Sequence, residues 1–496
     1  MTRPKRRGMG RSLGARTAAL LAAAVLVAGG MTVWSFTSQE AHAEGRSAPA
    51  DDFNGDGYAD LVSGAPGGTV SGRAGAGYVA VMYGSPVGLD ASHKKLVSRS
   101  TSGVPGWAVA KQGFGDTSSK GDLDDDGYSD LVIGSAEGTS GSVVLWGSAS
   151  GLTGGTAIAE YGQAPQVGDF DGDGKADLAL TGDAEASGDD PVTQPANLWK
   201  GPISRGGTPA ERLDFMDKSE WWGYDDDGAE CTTNHRCVDG PDSISGPTVI
   251  KAAGDVNGDK REDIVVRQHE GEGASGNHVM LGSPMGFTTV DAPGDGGAVG
   301  VGDVDGDGYD DVVVGAYEGS EKVTVAYGTA DGPSSTHVQS FDQSLPGFPG
   351  VQEEGDTGGS CVSVADMTGD GRAEVALGIS GEDFGGLTDA GSVALLHGTA
   401  LGVTATGNQV VNQNTAGVPG AAEENDAFGS ACALLDADGD GHRDLGVSST
   451  AENASAGTVW SLRGSADGLT TTSTKAFGPD DVEGPVTEGL FGSYLR

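Results

Sequence analysis

Seven acidic nonapeptides of the form Asp-x-[Asp/Asn/Thr]-x-Asp-x-x-x-[Asp/Glu] recur along this 496-residue chain, each followed by a short apolar run. Their first, third, fifth and ninth positions supply hard oxygen donors. In the first copy these are Asp52, Asn54, Asp56 and Asp60; in the second, Asp122, Asp124, Asp126 and Asp130. The third copy offers Asp169, Asp171, Asp173 and Asp177, and the fourth Asp255, Asn257, Asp259 and Asp263. The fifth has Asp303, Asp305, Asp307 and Asp311; the sixth has Asp366, Thr368, Asp370 and Glu374. The seventh has Asp436, Asp438, Asp440 and Asp444. The seventh-position residues Tyr58, Tyr128, Lys175, Arg261, Tyr309, Arg372 and His442 complete the candidate sets. Carboxylates packed this closely repel one another unless a cation lies between them. Oxygen donors at this spacing, with glycine letting the backbone fold back, suit a hard ion of calcium's size.

Up to seven Ca²⁺ sites are therefore expected. Loop 2 carries Asp125 where its siblings have glycine, loop 4 has Lys260 at its sixth position, and loop 6 departs at Thr368 and Glu374. The loops at Asp255 and Asp366 are the weakest of the set. EF-hands are excluded: the twelfth position, which should be Glu, is Ser63 in loop 1 and Ile133 in loop 2, and the flanks read as strands.

The chain has 72 acidic and 29 basic residues, a formal charge of −43, which argues against nucleic acid and anionic membrane surfaces as partners. The first 43 residues read as a signal peptide. Six basic residues precede an apolar stretch from Thr17, and Ala41-His42-Ala43 offers a small-x-small cleavage site. An uncleaved anchor is the other reading of that segment. Residues 44–50 form a short linker, and no later apolar stretch is long enough to span a membrane. The expected product is secreted.

Between the loops one grammar recurs. In the fifth unit, an apolar strand from Ala298 to Val301 enters the acidic loop and Val312–Gly315 leaves it. After a turn, Val323–Gly328 alternates as a strand should, and a more polar fourth strand follows. Four short strands per unit, with no sustained helical periodicity, predict an all-β propeller.

Phe114-Gly115 before loop 2, Phe428-Gly429-Ser430 before loop 7, and Leu61–Pro66 after loop 1 resemble the FG-GAP repeat of the integrin α-subunit propeller. Gly-Val-Pro-Gly at 103–106 and 417–420 is also similar to that family. The resemblance covers about residues 51–496. It implies a seven-bladed propeller of four-stranded blades, with calcium between the first and second strands of each. It also implies ligand binding on the face opposite the metal loops. Nothing resembles the integrin leg domains or C-terminal membrane span, so integrin function is not implied. Loop 1 lacks a Phe-Gly strand before it, and the chain ends in Phe491-Gly492 with no loop after it. The C-terminal strand is therefore expected to complete the blade carrying loop 1.

Two features break the repeat. A long interval before loop 4 reads as an insertion at about 202–248, carrying the partner-binding candidates Trp221, Trp222 and Tyr224 and an expected local disulfide, Cys231–Cys237. The tryptophans alternatively pack against a blade edge. Cys361 and Cys432 lie before loops 6 and 7 at opposite strand parity, so they could face each other across two blades. A disulfide and two buried thiols both fit.

No catalytic constellation is visible, and Gly271–Gly276, though G-x-G-x-x-G, holds acidic residues that would repel phosphate. The expected role is a calcium-binding, extracellular binding or adhesion module for protein or polysaccharide. The alternative is an exported calcium-dependent hydrolase or polysaccharide lyase, which a His, Tyr or Lys grouped with carboxylates in the central pore would favour.

Overall fold

The apolar runs after the nonapeptides are short and rich in β-branched residues, and each becomes a buried second strand of an antiparallel blade. In this computed structural model residues 51–496 are described, apart from 137–139, 160, 185–191, 219–238, 272–273, 295–296, 317–321, 351, 354, 357 and 488. The chain divides into Met1–Ser47 and Ala48–Arg496, and every described residue lies in the second unit. The signal-peptide and linker expectations thus fall outside the described residues. Among the described residues no helix is long and apolar enough to cross a membrane.

Blade 5 shows the plan. Its strands Val299–Gly302, Asp311–Val314, Val323–Ala326 and Val338–Phe341 pair in sequence order, with Gly302 opposite Asp311 and Val312 opposite Ala326. Six of the seven blades hold four strands in such an order, and the seven form an all-β propeller with almost no helix. Second strands are apolar on both faces because both are covered. In blade 1, Val62 and Val81 pack with Leu131 and Ile133 of blade 2. From its other face Leu61, Ala80 and Met82 pack with Ala433 and Leu435 of blade 7.

Blade 1 has only three strands of its own, Leu61–Ala65, Tyr78–Met82 and Lys94–Val97. Its inner position is filled by the C-terminal segment. Val62 and Arg496 exchange backbone hydrogen bonds of 2.8 and 3.0 Å, Gly64 donates to Tyr494 at 3.2 Å, and Ser63 bridges Leu495 antiparallel. Phe491 donates to Ala456 of blade 7, so the same segment clasps both neighbours. The expected closure is thus present.

The span 202–248 is only partly insertion. It contains the fourth strand of blade 3, Glu211–Leu213, and Ser243–Gly246, which pairs with Val192–Pro195. Trp221, Trp222, Tyr224, Cys231 and Cys237 lie outside the described residues. The other cysteine pair is bonded: Cys361 and Cys432 form a disulfide across blades 6 and 7, with Cα atoms 5.7 Å apart and 71 residues between them in sequence. A loop that long corresponds to about 4 kcal/mol of lost unfolded-state entropy in the chain-entropy model.

Deleting Phe491–Arg496 is expected to leave blade 1 without its inner strand and two sheet edges unpaired. The truncated protein should aggregate or become protease-sensitive; melting unchanged from the full chain would rule out this closure.

Candidate metal centres

Each nonapeptide links the first strand of its blade to the second, so all seven lie on one face of the ring. Their internal geometry repeats closely. The sixth-position N–H donates to the first-position carboxylate in every loop, at 2.7–3.1 Å, from Gly57, Gly127, Gly174, Lys260, Gly308, Gly371 and Gly441. The seventh-position N–H donates to the fifth-position carboxylate in every loop, at 2.9–3.1 Å. This winding needs positive φ at positions four and six. Asp125 and Lys260 adopt it too, at φ 62° and 69°, so loops 2 and 4 keep the shared backbone at some steric cost.

The ninth-position carboxylate has a different environment. Asp60, Asp130, Asp177, Asp263 and Asp311 are wholly buried. One oxygen of each accepts from the second-position N–H, at 2.8–3.1 Å in these five loops. The other accepts from the glycine that ends the third strand, Gly84, Gly147, Gly201, Gly282 or Gly328, at 2.7–2.9 Å. Loop 7 keeps the second contact, Gly464 to Asp444 at 2.9 Å. Loop 6 keeps the first, Met367 to Glu374 at 2.9 Å, while the longer side chain places its other oxygen 3.4 Å from His397 Nδ1. The second-position residues, Phe53 through Ala437, are buried and pin each loop to the core.

Burial dominates the ionisation of these acids and outweighs the hydrogen bonds that favour the charged form. Asp60 is pushed up to about 8, and Asp130, Asp177, Asp263, Asp311 and Asp444 to about 7, with neighbouring carboxylates adding to the rise.

Carboxylate oxygens converge within 4.8 Å in four loops: Asp122, Asp124 and Asp130; Asp169, Asp171 and Asp177; Asp303, Asp305 and Asp311; Asp436, Asp438 and Asp440. Loops 1, 4 and 6 are absent from this set because their third positions are Asn54, Asn257 and Thr368, which carry no carboxylate. Loop 2, less certain from sequence, forms such a cluster through Asp122, Asp124 and Asp130. The donors fit a hard cation, and buried Asp124 Oδ1 and Asp444 Oδ2 have no hydrogen-bond partner. Positions one, three, five and nine would hold such an ion, which would neutralise the cluster.

Sequence reasoning missed the basic side chains that reach into these loops. Arg205 contacts both Asp124 and Asp126 at 2.5 Å. Lys200 pairs with Asp171 and lies 2.7 Å from Asp173, Arg463 lies 2.8 Å from Asp438, and Arg261 pairs with Asp259. Arg205 is remote from loop 2 in sequence, so spacing carried no signal of it. Among the described residues the loop 5 carboxylates form no ion pair, which leaves that cluster the most open to a cation.

The FG-GAP repeat model matches residues 45–82, and the FG-GAP-like repeat model matches 122–180, 255–314 and 303–377. The chain carries FG-GAP and FG-GAP-like repeats. No curated protein matches it in sequence. Among solved structures, this FG-GAP propeller is similar to the exotype rhamnogalacturonan lyase YesX, at 14% identity and TM-score 0.30 over 81% of this chain and 72% of that one. It is also similar to AofleA from Arthrobotrys oligospora, at 8% identity and TM-score 0.34 over 73% and 88%. A quinonprotein alcohol dehydrogenase-like protein from Bacteroides thetaiotaomicron matches at 8% identity and TM-score 0.36 over 81% and 82%. At these values the neighbours say nothing about what this chain binds.

The two kinds of carboxylate should separate on mutation. Asp311→Ala strands two buried N–H groups, each worth about 1–3 kcal/mol, and should lower stability with or without calcium. Asp307→Ala should matter only when calcium is present. Equal calcium dependence in thermal melts of the two variants would refute the distinction.

The pH response has a definite sign. The six ninth-position aspartates have folded-state values raised above the unfolded value of about 4, so without metal their contribution is full below pH 4 and is lost as pH rises through about 7–8. Bound calcium would hold the ionised form. The gap in Tm between calcium-saturated and chelator-treated protein should therefore widen from pH 5.5 to 8; a gap that narrows would contradict this.

Proposed function

We propose that this FG-GAP propeller is an exported, calcium-stabilised binding module that presents the face opposite its acidic loops to a protein or polysaccharide. The observation that carries the reading is Trp107, 76% exposed in the linker between blades 1 and 2. Such linkers run from a fourth strand to the next first strand and so lie opposite the nonapeptides. Val109 in the same linker and Val486 and Leu490 between blades 7 and 1 are exposed on that face too. An exposed indole supplies contact area to a ligand and little to the core. The Cys361–Cys432 disulfide suits an oxidising compartment, in keeping with export.

A second reading is favoured by the central cavity of about 490 Å³, walled by first strands and the C-terminal segment. It gathers Lys120, Lys251, Tyr494 and Arg496 with Asp51, and Lys120 lies 2.8 Å from Asp51. Burial, reinforced by Arg267, holds Lys251 below the usual lysine range, with Asp116 acting the other way. A lysine so depressed suits a general base, as a polysaccharide lyase acting on uronates requires.

One screen separates the two. Residues 44–496 are tested against glycan arrays and extracellular proteins with and without calcium, and against uronate polymers for unsaturated products. On the binding reading, Trp107→Ala reduces capture at least tenfold without changing the melt. Unsaturated product that disappears in Lys251→Ala would instead establish the lyase.

A further inference from the structure

The acidic loops are not the only places where buried oxygens converge. On the opposite face, three blade junctions share one local geometry, and the side chain two residues after the fourth strand differs among them. It is Arg99 after Lys94–Val97, Gln343 after Val338–Phe341, and Gln413 after Thr404–Val411. Each lies beneath the last glycine of a following turn. A Cβ on Gly106 would stand 3.2 Å from Arg99 Nη1; one on Gly350 would stand 3.6 Å from Gln343 Oε1 and 3.5 Å from Glu382 Oε1; one on Gly420 would stand 3.8 Å from Gln413 Nε2.

In the first junction the site is filled by a permanent cation. The Arg99 guanidinium, 6% exposed, donates to the carbonyls of Pro105, Ser140 and Gly141 at 3.1, 3.0 and 2.7 Å, and so ties the linker to the second hairpin of blade 2. In the other two the charge is reversed. Gln343 and Gln413, 6% and 1% exposed, donate through Nε2 to Glu382 and Glu452 in the equivalent hairpins, at 2.6 and 2.8 Å. Those bonds set each amide's orientation and leave its Oε1 buried with no hydrogen-bond partner. Asp356 and Asp426, 2% and 4% exposed, come from the same linkers and face the same acids. Asp356 Oδ1 also lacks a partner.

We propose that each of these two junctions, Gln343/Asp356/Glu382 and Gln413/Asp426/Glu452, binds a hard divalent cation that does there what the Arg99 guanidinium does between blades 1 and 2. Two carboxylates and an amide oxygen per site match a small, oxygen-seeking ion of charge two. A buried carboxylate without a counter-charge and an orphaned amide oxygen are each costly, and one ion relieves both. Burial holds all four carboxyls above their usual range, as groups lacking their counter-charge would be. The proposal is independent of what the propeller binds.

Calcium stoichiometry of the whole mature chain, counted by native mass spectrometry at pH 8 alongside thermal melts, tests it. Glu382→Gln and Glu452→Gln keep shape and hydrogen bonding; each should lose one bound Ca²⁺ and lower the calcium-saturated Tm, and the pair should lose two. If instead the acids simply share a proton, the count stays at wild type and Tm at pH 8 is unchanged or higher, which overturns the proposal. Gln343→Arg guards against a merely misfolded variant. It copies the Arg99 junction, so it should lose one ion yet melt in chelator no lower than wild type. A wild-type ion count in this variant also overturns the proposal.

Discussion

The buried ninth-position carboxylate is the contact on which the rest of this propeller depends. It spans three segments of one blade: the end of the first strand through the second-position N–H, the start of the second through its own backbone, and the end of the third through a glycine N–H. Nothing but a carboxylate offers two acceptors at that reach. The cost is a charge held out of water. A cation on the loop would offset it, so folding and metal affinity are joined at one side chain.

The loops are also joined to one another. Ser129 donates to Asp52, Glu262 to Asp169, Asp310 to Asp255 and Ala373 to Asp303, each linking an eighth-position N–H to the first-position carbonyl of the preceding blade. Ala59 to Asp436, at 3.0 Å, makes the same link between blades 7 and 1, and Arg443 to Met367 joins blades 6 and 7 one residue further on. On the opposite face Phe114, Phe428 and Phe491 donate to Ala76, Ala390 and Ala456, so the Phe-Gly pairs join blades 1 and 2, 6 and 7, and 7 and 1. The ring is held at both rims by backbone contacts that depend on loop geometry. Distortion of one loop is thereby passed to its neighbour.

Much of this was legible because the repeat writes itself in short-range spacing. Loop positions, strand order and the shared blade follow from patterns within a few residues, and the parity of Cys361 and Cys432 admitted their bond. What was not legible arises between segments. The ninth-position acid reads as a ligand like the others, since its glycine partner lies well beyond the nonapeptide, and Asp125 sets loop 2 apart in sequence although third-position chemistry decides the cluster. Arg205 and Lys200 are unremarkable in sequence. The fourth strand of blade 3, at Glu211–Leu213, was hidden in the long interval because it is short and polar.

Those basic side chains explain how so acidic a chain can close a ring. With a formal charge of −43, clustering the carboxylates on one face is unfavourable unless counter-charge arrives locally. Loops 2, 3 and 7 draw part of it from Arg205, Lys200 and Arg463, all at or just beyond the ends of third strands. Such a side chain is tethered, so its effective concentration is high, but it brings one charge and imperfect coordination. A divalent ion brings two and can engage every oxygen, at the expense of its hydration. The two would therefore compete, and the outcome would differ from loop to loop: among the described residues the carboxylates of loops 1 and 5 have no ion-pair partner and most to gain from metal, and loop 2, bracketed by the Arg205 guanidinium, has least. Seven loops of nearly identical sequence are thus graded by residues outside them, so the sequence of a nonapeptide alone does not set its affinity.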